Sequence, residues 1–102
     1  MVIVEVKTFQ YINYIPSQQE MYIKCTKIRL TQFESFFINY LLDNNGYCNI
    51  PNFQKYLSTL NGKNIYRKSV VVGVNRLRKK IVYQTGYDVI KSKYGFGYNI
   101  NI

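Results

Sequence analysis

The stretch from Arg67 to Ile81, RKSVVVGVNRLRKKI, restricts the fold of this chain more than any other. Wound as a helix at about 100° per residue, it puts Val70, Val74, Leu77 and Ile81 on one narrow stripe. Lys68, Val72, Asn75, Arg76 and Lys79 fall on the opposite side, with Ser69 at its edge. One face is therefore made for burial. The other is cationic and hydrogen-bonding, with a single valine in its middle.

A valine facing water has no packing reason to be there. A thymine methyl in a major groove would supply one, and Asn and Arg are the side chains that read adenine and guanine edges. Two plainer readings stand beside this. A basic amphipathic helix is also the ordinary form of a solvated surface helix. The run Val70-Val71-Val72 would suit a strand equally well.

Charge favours the first reading. The 102 residues carry a formal net charge of +9. From Lys63 to Lys93 there are nine basic residues and one acid, Asp88, whereas the first sixty-two residues hold five basic residues and four acids. The positive field belongs to the C-terminal half, and its natural partner is a polyanion, nucleic acid before anionic membrane. There is no histidine, so the commonest general base and metal ligand is missing. Cys25 and Cys48 fit no metal spacing and read as reduced thiols of a cytoplasmic protein. With five acids and no plausible cysteine partner, no acid–base pair or metal site is recognisable, and neither catalysis nor a cofactor is expected. No apolar run is long enough to span a membrane, and no signal peptide precedes the first strand-like residues. The abundant Ile, Asn, Lys and Tyr match the codon bias of an AT-rich genome, so the number of asparagines by itself carries little.

Along the chain, the alternation of Val2, Val4 and Val6 against Ile3, Glu5 and Lys7 predicts a first strand. Phe9 to Ile15 predicts a second, and Pro16 to Gln19 a turn. Glu20 to Cys25 and Lys27 to Leu30 predict two more strands, joined at Thr26-Lys27. At Thr31 the period changes. Thr31-Gln32-Phe33-Glu34 is a capping box, and Phe33, Phe37, Tyr40 and Leu41 follow at helical spacing. Asp43 to Gly46 ends that helix. Tyr47-Cys48 predicts a very short strand, and Asn49 with Pro51 opens a second helix whose buried face is Phe53, Tyr56, Leu57 and Leu60. Asn61 to Asn64 is a polar loop, and the third helix starts near Tyr66 or Arg67. Tyr83 to Tyr87, containing Gly86, reads as loop. Asp88 to Lys93 and Phe96 to Ile102 predict a hairpin turning at Tyr94-Gly95, with Lys91 and Lys93 in one phase near its tip. Gly95-Phe96-Gly97 is better explained by turn chemistry than as a phosphate loop, since no helix and lysine follow it.

Two local texts make this order specific: LTQFESFFINYLL, Leu30 to Leu42, and VNRLRKKI, Val74 to Ile81, followed after a gap by IKSKYGFGYNI, Ile90 to Ile100. Together they resemble the DNA-binding effector domain of OmpR/PhoB-type response regulators. That family reads roughly LT-x-x-E-x-x-L-L, V-x-x-x-x-R-L-R-K-K/A-L and T-x-R-G-x-G-Y. The resemblance covers essentially the whole chain, and RLRKK with GxGY at this spacing is more specific than either alone. It implies an α+β fold, a winged helix-turn-helix over residues 1–102: an N-terminal four-stranded antiparallel sheet (1–30), a three-helix core (31–82) and a C-terminal hairpin wing (83–102).

The resemblance also implies roles. The recognition helix, 67–81, would enter the major groove of duplex DNA and the wing, 88–102, would lie on the adjacent minor groove. Arg76 would reach base edges or the backbone, Val72 would touch thymine methyls, and Lys68 and Ser69 would meet phosphates near the helix start. Arg78 and Lys79 would combine phosphate neutralisation with packing. Gly95 and Gly97 match the wing-turn glycines, and Tyr98 matches the aromatic that anchors the wing. The loop from Asn61, Gly62, Lys63 and Asn64 to Tyr66 corresponds to one that contacts RNA polymerase in this family. Head-to-tail homodimers on repeated half-sites are implied as well.

Three departures mark this chain. Tyr94 stands where the wing arginine enters the minor groove, leaving Lys91 or Lys93 to substitute, and lysine is poorer at reading a narrow groove. Ser58 replaces the tryptophan after helix two. Gly73 lies inside the recognition helix at a cost of about 1 kcal/mol relative to alanine. The 102 residues hold no receiver domain, so the expectation is a stand-alone effector, with receiver phosphorylation acting on it only if a partner supplies that domain or if the sequence is a domain excised from a longer protein. Two rivals remain open at this point: a winged helix that binds an acidic protein, which Tyr94 would suit, and a general RNA- or ribosome-associated basic protein.

Overall fold

The computed structural model describes residues 4–93 and 95–100. Four strands open the chain: β1 (Lys7–Phe9), β2 (Ile12–Ile15), β3 (Glu20–Ile23) and β4 (Thr26–Arg29). They pair in sequence order as an antiparallel meander, with Ile12 opposite Ile23, Tyr14 opposite Met21 and Met21 opposite Ile28. Those five side chains are at most 2% exposed and form the sheet's inner face. Tyr14 crosses to the first helix, its hydroxyl donating to the Ser35 carbonyl at 3.0 Å and also bonding the Ser35 hydroxyl.

The strand boundaries differ from the sequence reading. Residues 4–6 are not strand, and Val4 and Val6 are 43% and 50% exposed, so at these positions the alternation does not mark a buried face; Val2 and Ile3 of the same alternation lie outside the described residues. The reading of Phe9 to Ile15 as one strand fails because the chain turns at Gln10-Tyr11. The third connection is Lys24-Cys25, not Thr26-Lys27. Both turns start on a left-handed residue that is not glycine, Gln10 (φ 52°) and Lys24 (φ 55°), so the usual turn signal is missing. Pro16–Gln18 forms a short 3-10 turn ending at a left-handed Gln19.

Helix α1 (Gln32–Asp43) starts on the predicted capping box. The Thr31 amide donates to Glu34 Oε1 at 2.9 Å, and the Glu34 amide donates to Thr31 Oγ1 at 3.2 Å. β5 (Tyr47–Asn49) runs directly into α2 (Ile50–Asn61), for which the Asn49 side chain accepts from the Asn52 amide at 3.1 Å. Phe53 and Leu57 are buried, but Leu60 is 48% exposed, contrary to its predicted place on the inner face. Asn61 belongs to α2 rather than to the following loop, and Gly62 caps the helix in the left-handed conformation.

Helix α3 (Arg67–Thr85) is followed by β6 (Ile90–Lys93) and β7 (Gly97–Ile100). These two strands form the expected hairpin, closed where the Phe96 amide donates to the Lys93 carbonyl at 3.0 Å. Tyr94 and Ile102, placed by the sequence reading in the turn and the last strand, lie outside the described residues. The hairpin is part of a three-stranded sheet, order β5-β7-β6, in which Cys48 faces Tyr98 and Asn49 faces Gly97. Gly97 is therefore a strand residue rather than a turn residue. A Cβ there would lie 2.0 Å from the Cys48 carbonyl oxygen, so glycine is required by the approach of β5.

Candidate nucleic-acid interface

The third helix is long for its surroundings, nineteen residues from Arg67 to Thr85. Packing decides its conformation against the poor helix propensity of three successive valines. Val70, Val74 and Leu77 are 0% exposed and Ile81 is 1% exposed, all on the stripe that the 3.6-residue period predicts. Burying each stabilises the chain by about 1.5–3 kcal/mol, far more than the tenths lost to β-branching. The helix does not end at Ile81. It continues for another turn and stops where Gly86 takes a left-handed φ of 78° and its amide donates to the Val82 carbonyl at 2.8 Å. Tyr83, Gln84 and Thr85, read from the sequence as loop, are thus helical. The signal that would have found them was Gly86 itself, in the position that commonly ends a helix.

The opposite face is open. Lys68, Ser69, Asn75, Arg76 and Lys79 are all exposed, and Val72 is 40% exposed among them. Arg78 is half-buried at the margin, between this face and the hairpin. The start of α3 has no side-chain cap and no acid in its first turn, while Arg67 and Lys68 occupy that turn. Unpaired amides, the positive end of the helix dipole and two cations coincide there, which favours an anion.

Two further contacts set the attitude of α3. Lys80 reaches back to the start of α1, donating to Glu34 Oε1 at 2.5 Å and to the Arg29 carbonyl at 2.8 Å. Glu34, only 6% exposed, is thus both capping-box partner and ion-pair partner. The second contact is at Gly73. The Phe33 ring of α1 lies where a side chain on residue 73 would project. Beside this contact, Lys68, Ser69, Val72 and Arg76 form one wall of a cleft whose other wall is Thr31, Phe33 and Glu34.

On the hairpin, Tyr98 is 3% exposed and packs edge-on against Phe37 with ring centroids 5.8 Å apart, which fixes the wing to the core. Lys91 donates to Asp88 Oδ2 at 2.7 Å, and this bond holds the Asp88 carboxyl below its ordinary range. Lys93 lies nearer the tip, with its ammonium 5.9 Å from the ring centroids of Tyr47 and Phe96. In the loop between α2 and α3, Gly62, Lys63 and Asn64 are exposed, flanked by Leu60 and by Tyr66, which is 75% exposed. Among the described residues no group of His, Cys, Asp and Glu could hold a metal ion, and no helix is long and apolar enough to cross a membrane.

Solved structures share this architecture. The C-terminal domain of the nisin resistance regulator NsrR, a lantibiotic response regulator, superposes with a TM-score of 0.79 at 23% identity, covering 94% of this chain and 96% of that one. The chain has the fold of a response-regulator DNA-binding domain. On this winged helix-turn-helix, α2 and α3 are the helix-turn-helix and the β6–β7 hairpin is the wing. The DNA-binding domain of the response regulator AdeR, solved in complex with an intercistronic region, superposes with a TM-score of 0.76 at 20% identity, covering 93% and 98% of the two chains. A redox sensor of the streptococci evolved from two-component response regulators matches 99% of this chain at a TM-score of 0.75 and 18% identity, over 43% of its own length. No family model matches the sequence, and no curated protein matches it.

Proposed function

We propose that this chain is a sequence-specific duplex-DNA-binding regulator of transcription, and that it works by binding rather than catalysis. The observation that carries this reading is the two-sidedness of α3: its aliphatic stripe is fully buried while Lys68, Asn75, Arg76 and Lys79 stay open around an exposed Val72. In the proposed docking, α3 lies in the major groove with Val72, Asn75 and Arg76 toward base edges, and Lys68 and Ser69 meet phosphates. The wing rests over the neighbouring minor groove with Lys93 free to reach phosphates, and Lys91 does so in competition with Asp88. That the AdeR DNA-binding domain was solved in complex with an intercistronic region supports DNA as the partner here.

One domain offers limited contact area, so high specificity calls for two copies on repeated half-sites or for a second regulator. The α2–α3 loop is proposed as a protein-contact surface, RNA polymerase being the partner implied by the resemblance. Exposed Leu60 and Tyr66 on either side of Gly62, Lys63 and Asn64 favour this.

Selection of bound sites from random duplex DNA, followed by titration of Arg76→Ala, tests the proposal. A bidentate arginine–guanine contact discriminates by about 1–3 kcal/mol, so the variant is expected to lose more affinity for the selected site than for random duplex. Equal losses would reduce Arg76 to a phosphate contact. Tighter binding of RNA than of duplex DNA would refute the reading.

A further inference from the structure

A duplex held by both α3 and the wing presents one sugar-phosphate strand to the surface between them, because that strand is what separates a major groove from the neighbouring minor groove. On this chain that surface is a groove of about 540 Å³, bounded by Asn75, Arg78, Lys79, Val82 and Tyr83 on α3 and by Asp88 at the foot of the wing. Tyr83 follows Val72, Arg76 and Lys79 at intervals of four, three and four residues, so all four share one face of the helix. It is 92% exposed, and Val82 beside it is 43% exposed. Neither side chain has a packing reason to be at the surface. The acid that borders the groove, Asp88, is already paired with Lys91 at 2.7 Å, so Arg78 and Lys79 leave the groove cationic.

We infer that this groove seats the backbone of the strand between the two DNA grooves. Arg78 and Lys79 stand against its phosphates, the Tyr83 hydroxyl donates to a phosphate oxygen, and the Tyr83 ring with Val82 covers a deoxyribose. An aromatic ring with one polar tip suits a partner that alternates apolar sugar with anionic phosphate. The inference rests on the duplex-binding reading and gives the last turn of α3, beyond Ile81, a task within it.

The test compares the full chain with Tyr83→Ala, Tyr83→Phe and Arg76→Ala, on a selected duplex and on random duplex. Methylphosphonates are then placed one at a time along the strand between the two groove contacts. Loss of one charge-assisted hydrogen bond and its apolar cover predicts binding weaker by about threefold to tenfold for Tyr83→Ala, equally on both duplexes. Tyr83→Phe retains the ring and is expected to lose part of that. One methylphosphonate position is expected to weaken the wild type and leave Tyr83→Ala unchanged. If both Tyr83 variants bind like wild type while Arg76→Ala is weakened, the groove assignment is overturned and the duplex reading stands. If the wild type shows no salt-dependent duplex binding, both fall. A Tyr83→Ala loss confined to the selected duplex would make Tyr83 a base reader and overturn its assignment to the backbone.

Discussion

An ideal Cβ on Gly73 would lie 2.3 Å from Cε1 of Phe33 and 2.8 Å from two more atoms of that ring. The residue that looks like a defect in a helix is therefore the space that lets α1 and α3 meet. Gly73→Ala would gain about 1 kcal/mol of helix propensity and lose about 1–3 kcal/mol to overpacking, so a net loss of stability is expected in urea unfolding. Combining it with Phe33→Ala is expected to cost less than the sum of the two single changes; strict additivity would show that the ring is not the obstacle. Cys48 gives a second prediction. Burial pushes its thiol up to about 12, and burial also raises the phenols of Tyr14, Tyr40 and Tyr98. These groups are held neutral in the fold and ionise more readily when unfolded. Cys48 therefore contributes its full stability below about pH 9, its ordinary value, and loses it as pH rises toward about 12. Iodoacetamide at about pH 8 is expected to modify exposed Cys25 and spare Cys48 until the chain unfolds, and equal labelling of the two would contradict the burial.

Among the elements, α3 shows what was legible and what was not. Its inner stripe follows from helical period alone, and Leu77→Ala is expected to cost about 2–5 kcal/mol of unfolding free energy, because Leu77 is 0% exposed. A neutral result would mean that the helix presents a different face to the core. The sequence reading ends the helix at the last aliphatic of the stripe, Ile81, while Gly86 stands five residues later, at the actual stop. The capping box and the Asn49 cap were readable because both are local, three residues from donor to acceptor. The second task of Glu34 was not, since Lys80 lies 46 residues away in sequence. Strand limits failed where Gln10 and Lys24 turn the chain without glycine or asparagine to announce it. The short strand at Tyr47-Cys48 was legible, but its pairing with β7 was not, for the same reason as the Glu34–Lys80 pair. Nothing near Tyr47 indicates a partner at Asn99.

At the scale of the molecule, residues 63–93, which contain α3 and β6, carry nine basic residues against one acid. If about four phosphates are neutralised per copy, log K is expected to fall with log salt at a slope of about −3.6. Replacing Lys91 and Lys93 together with glutamine is expected to flatten that slope, and an unchanged slope would remove the wing from the interface. Most of the change is expected from Lys93, because Lys91 is already engaged by Asp88 at 2.7 Å.

Asn49 is the last residue of β5, where it faces Gly97 of the wing, and its side chain also caps α2. Asn49 thus belongs at once to the wing's sheet and to the start of the helix-turn-helix, and the Tyr98–Phe37 contact holds the same wing to α1. On the proposed reading the protein behaves as a caliper of fixed opening: one base pair inserted between the positions it spans could not be absorbed by bending the protein, and the duplex would have to twist or let go of one jaw.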